Sequence, residues 1–123
     1  MNMWFVFAGI SAVFTACVHT FAGQKFVIRP LLDAPKFDHV SRFTNYYCWH
    51  IVTMVLFSMG ALYFIAATNS EMIELAWLAT IYASLFVLWN LFMIATNRLK
   101  PKHFPQWALI LPTALFGWAG LLF

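Results

Sequence analysis

Residues 3–22, MWFVFAGISAVFTACVHTFA, contain no Lys, Arg, Asp or Glu. A helix rises about 1.5 Å per residue, so this run spans about 30 Å, the thickness of a bilayer's hydrocarbon core. Residues 44–68, 73–96 and 105–123 give three more apolar runs of similar reach. Hydrophobic side chains make up 63% of the chain and charged ones 9%, against about a quarter charged in soluble domains. The reading is an all-α, transmembrane four-helix bundle. It forms one domain, 1–123, with spans of about 3–22, 44–68, 73–96 and 105–123 and no room for a separate soluble unit. The first run begins without a basic residue and has no small-residue cleavage pattern after it, so it is expected to stay in the mature protein.

Charge placement gives an orientation. Lys25, Arg29, Lys36 and Arg42 follow the first run, and Arg98, Lys100 and Lys102 follow the third. The connection after the second run, NSEMIE, has Glu71 and Glu74 and no basic residue. By the positive-inside rule the basic loops are expected in the cytoplasm, with both termini and the acidic loop outside. The localisation implied is a bacterial inner (plasma) membrane, multi-pass. The net charge of +3 is explained by this topology and by attraction to anionic headgroups, and no nucleic acid partner is needed.

Residues 23–43 form the only long connection, and its mix of apolar and basic side chains predicts an interfacial loop. Asp33 or Ser41 is the expected cap for the second helix, which has room to begin as early as Pro35. Pro105 suits the first turn of the fourth helix, Pro101 ends the third, and Pro112 should kink the fourth. Gly117 and Gly120 allow close helix approach but lack the GxxxG spacing.

Two Cys-x-His pairs, Cys17/His19 and Cys48/His50, sit toward the basic end of the first two runs. Antiparallel pairing puts His19 and His50 within about one helical turn in depth. Residues two apart on a helix point about 200° from each other, so neither pair chelates by itself. A shared metal site through His19 and His50, or haem b between them, is one reading; an interhelical hydrogen bond from each His, worth about 1 kcal/mol, is the plainer one. The cysteines are expected as reduced thiols.

Asn45, Asn90, Asn97, Thr15, Thr20 and Thr53 belong to the same third of the spans, whereas the opposite halves read as almost wholly apolar. Intramembrane polar groups face the bundle interior or a cavity, which predicts a polar pocket at the basic end. Its ligand-binding residues are expected to be His19, His50, Arg29, Asn45, Trp49 and Asn90, with Arg29 and Lys102 at the mouth selecting an anion. No carboxylate lies deep in a span for proton coupling, no Cys-x-x-Cys for thiol oxidation and no Gly-rich phosphate loop. No nucleophile is paired with a base, so an enzyme is disfavoured.

The combination VHTFAGQKFVIRPLL, YYCWHIVT and FPQWALILP resembles a family of small, uncharacterised four-helix inner-membrane proteins of bacteria. The residues that carry the resemblance are His19, Gly23, Arg29, Pro30, Leu31, Leu32, Trp49, His50, Pro105, Gln106 and Trp107. It implies that His19 and His50, more than the cysteines, mark the site. Two function classes follow. One is an accessory membrane protein that forms a homo-oligomer or joins a larger membrane complex, with the lipid bilayer against its aromatic surface. The other binds haem, a metal ion or a small ligand, with a redox role open, through His19 and His50.

Overall fold

The first helix continues well past Ala22, where its uncharged run ends. In the computed structural model, which describes residues 1–123, α1 runs Met3–Leu32 without interruption. One turn, Gln24–Ile28, is π-helical, with the Arg29 N–H reaching the Gln24 carbonyl. Pro30 supplies a reason: it has no N–H for the Phe26 carbonyl, and in an unbroken α-helix its ring would press on that carbonyl. A widened turn relieves both. The expectation of a loop over 23–43 is therefore corrected. Residues 23–32 extend α1, α2 begins at His39 and runs to Thr68, and only residues 33–38 connect them.

That short connection is held by its own side chains. Asp38, rather than Asp33 or Ser41, caps α2: its carboxylate accepts the Ser41 N–H at 3.0 Å. Arg42, one turn into α2, donates through Nη2 to the carbonyls of Ala34 at 2.7 Å and Phe37 at 3.1 Å. After a 3-10 turn at Ser70–Met72, α3 covers Ile73–Asn97. It ends at Arg98, the one residue with positive φ, at 51°. A second 3-10 turn, Pro101–His103, leads to α4, Gln106–Leu122. The stretches Met3–Leu32, His39–Thr68 and Ser70–Asn97 are long and apolar enough to cross a membrane, while the apolar α4 is shorter.

Each helix runs antiparallel to those it packs against. Asn2 binds the ends of two of them, its N–H on the Ala67 carbonyl at 3.0 Å and its Nδ2 on the Gly120 carbonyl at 2.9 Å. The termini and the 69–72 turn thus share one end. The 33–38 and 98–105 connections, with their basic residues, share the other. The seam is built from small side chains: Ala8, Ala12 and Ala16 of α1 and Ala76, Ala79 and Ala83 of α3 are all at most 1% exposed. With no hydrophobic force between helices in lipid, close backbone approach through such residues is what makes van der Waals packing strong enough to hold them.

The halves expected to be apolar contain the main buried polar contacts. The Tyr63 and Thr80 hydroxyls lie 2.9 Å apart, and Thr113 donates to Ser11 at 2.9 Å. Thr80 also donates to the Ala76 carbonyl at 2.7 Å. A hydroxyl has one proton, so Tyr63 is the donor to Thr80. Gly117 lies directly over this pair, where a Cβ would run into both hydroxyls, and Gly120 lies against the Phe5 ring. Both glycines are buried contact points despite lacking the GxxxG spacing.

Candidate functional site: a cleft at the basic end

The alanine seam gives way to larger side chains toward the basic end, and the helices leave a cleft of about 540 Å³ there. This volume falls within the roughly 300–1,000 Å³ of small-molecule sites. Its walls come from α1 and its π turn, the N-terminal half of α2, Phe86 of α3, and the 98–105 connection with the start of α4. Val18, Val52, Leu56, Leu109 and Ile110 make it mostly apolar. Phe26 and Val27, seven and eight residues after His19 and so on the same face of α1, line the rim.

His19 and Trp49 form one wall. Their rings stack with centroids 3.7 Å apart and planes at 17°, and His19 Nε2 lies 3.3 Å from the Trp49 carbonyl. That carbonyl can only accept, so Nε2 is the donor and this fixes the tautomer. The indole rests on Gly23, where any Cβ would collide with its six-membered ring. His19, Gly23 and Trp49 therefore act as one packing unit. Thr15, 3% exposed, donates to the Leu109 carbonyl at 2.8 Å, close to where Pro112 removes a helical N–H.

Of the residues expected in the pocket, the cleft receives Thr15, His19 and Trp49, together with Lys102 at its mouth. His50 is not among its walls. It is exposed and meets Tyr46 edge-on, 4.6 Å between centroids and 78° between planes. The two histidines share a level but not a direction, because His50 lies one residue, about 100° of helix, beyond Trp49. Arg29 is exposed and away from the cleft. Asn45 is exposed and returns its amide to the Ser41 carbonyl at 2.8 Å. Asn90 is 8% exposed and serves as a cap supplied by another helix: its Oδ1 accepts the Trp107 N–H at 3.2 Å, while Nδ2 reaches Gln106 Oε1 at 3.5 Å. Thr20 and Thr53 bond back to carbonyls of their own helices.

This arrangement does not suit the metal or haem reading. With its face covered by indole and Nε2 committed to a carbonyl, His19 has no opposed imidazole across an open space. No three His, Cys, Asp or Glu side chains gather where they could hold a metal ion, and Cys17 and Cys48 are free thiols. Sequence reasoning missed His103, Gln106 and the Phe26–Val27 rim. Proximity of His103 to Lys102 in the second basic loop was a usable signal, whereas the rim depends on a helix that the loop reading had ended.

What the fold defines is an all-helical protein with three membrane-length helices and an apolar cleft rimmed by basic and amide side chains. No protein family, no curated protein and no solved structure matches the chain.

Proposed function

We propose that this chain is a non-enzymatic bacterial inner-membrane protein that crosses four times, basic loops in the cytoplasm and both termini outside, and that its cleft holds a small, largely apolar ligand. The observation that carries the ligand reading is the composition of the cleft. Two of its polar groups, the Thr15 hydroxyl and His19 Nε2, are already bonded to backbone carbonyls, and the rest of the lining is mostly apolar. The crossing count draws on α4, whose 17 residues reach about 26 Å, enough with modest local thinning of the bilayer. α1 and α2 are each 30 residues long, about 45 Å. Their paired ends would then project beyond the hydrocarbon as a helical hairpin closed by Asp38 and Arg42.

Native mass spectrometry of protein released from mild detergent tests the ligand reading. The wild type should keep one small-molecule or lipid adduct, and Val52→Trp, which fills the cleft from its exposed α2 wall, should lose it while melting at a similar temperature. A wild type that carries no retained adduct contradicts the reading.

A further inference from the structure

The cationic donors of the cleft are at its mouth. Lys102 carries three N–H donors and no acceptor, and His103 stands beside it on the same rim. Gln106 has its Oε1 turned toward Asn90 Nδ2 at 3.5 Å, which leaves its own NH2 group to donate. Lys25 adds a further cation nearby, its Nζ 5.3 Å from the centroid of the Phe26 ring that lines the rim. None of the four carboxylates of the chain is among the walls. A rim of donors above an apolar interior is complementary to a molecule with an acceptor-only, negatively charged head and a hydrocarbon tail. A soluble anion would leave the interior empty, and a zwitterionic head would bring an ammonium to a rim that has no carboxylate to receive it.

We propose that the cleft binds an anionic phospholipid, with an acyl chain between α1, α2 and α4 and the phosphate at Lys102, His103 and Gln106; this rests on the cleft being a site for an apolar ligand. The site is distinct from the general attraction of juxtamembrane basic residues for anionic bilayers, which falls on every such residue alike. Lys100 is in the same connection but not on the cleft, so it provides the control.

The test is lipid retention by native mass spectrometry, titrating the full-length protein with phosphatidylglycerol, with phosphatidylcholine and with soluble glycerol 3-phosphate. Phosphatidylglycerol should be held about tenfold more tightly than phosphatidylcholine, the effect of one charge-assisted hydrogen bond. Lys102→Gln should remove that preference, Lys102→Arg should restore most of it, and Lys100→Gln should leave it intact. Glycerol 3-phosphate should not compete. Equal retention of the two lipids, equal losses from Lys100→Gln and Lys102→Gln, or competition by glycerol 3-phosphate overturns the headgroup assignment. Val52→Trp separates the two levels: loss of both lipids in that variant keeps the apolar site even when the headgroup assignment has failed, and unchanged retention removes both. Failure of Lys102→Arg to restore the preference also counts against the assignment, because that variant keeps the charge.

Discussion

Gly117 shows how much one missing methyl group can decide. The Tyr63 and Thr80 hydroxyls occupy the volume that a side chain there would need, and Tyr63 is fully buried. Gly117→Ala should therefore destabilise the protein by about 1–3 kcal/mol, the usual range for overpacking. Tyr63→Phe removes one of the two obstructing oxygens and one interhelical hydrogen bond, a class that averages about 0.6 kcal/mol in membranes. The double variant should lose less than the sum of the single losses, since the shorter ring concedes space to the new methyl. Denaturant unfolding in micelles measures all three, and strict additivity would mean that Gly117 and Tyr63 do not contend for the same space. Gly23 beneath the Trp49 indole follows the same logic at the cleft wall.

The ends of the elements carry more information than their apolar middles. α2 starts where it does because Asp38 caps it, and hydrogen bonds from the Ser41 hydroxyl and amide hold the Asp38 carboxyl below the ordinary carboxylate range. A carboxyl whose value is lowered by folding contributes its stabilisation above the unfolded value and loses it as pH falls through the folded one. The first turn of α2 should thus fray in acid, below the usual range of aspartate. Amide exchange at Ser41 reports this directly. Asp38→Asn should keep a cap whose protection no longer varies with acid, and Asp38→Ala should fray at every pH; the same acid response in Asp38→Asn would assign the effect to another group. Because Asp38 is fully exposed, the consequence stays local to the turn.

At the scale of the whole molecule, the seam of alanines and glycines closes the bundle at the end with the termini, and larger side chains leave it open where the basic connections lie. If those connections face the cytoplasm, a periplasm-active reporter fused after Phe123 should be active, and one inserted after Lys36 or Lys100 inactive. Active reporters at the two basic connections would reverse the orientation and put the mouth of the cleft on the outer side. The exposed apolar residues are spread over all four helices, from Phe14 and Phe57 to Trp89 and Leu115, as contact with lipid on every side demands.

Much of this architecture was legible in the residue pattern alone. Charge-free runs of about twenty residues leave a chain few alternatives in lipid, and seven basic residues clustered within 25–42 and 98–102 name the ends that lie together. The depth of His19 was readable for the same reason, because antiparallel pairing matches positions along the axis. Direction around the axis was not. A step of one residue turns a helix by about 100°, so Trp49 entered the cleft and His50 was left on the outside. The helical continuation of α1 past Ala22 brought Phe26 and Val27, seven and eight residues after His19, onto the same face and to the rim, while Arg29 stayed off the cleft. Asn90 likewise became a cap for a neighbouring helix only once α3 and α4 were packed. Composition and charge act along the chain and survive in the sequence, whereas the facing of side chains depends on helix rotation and register, which only packing between helices sets.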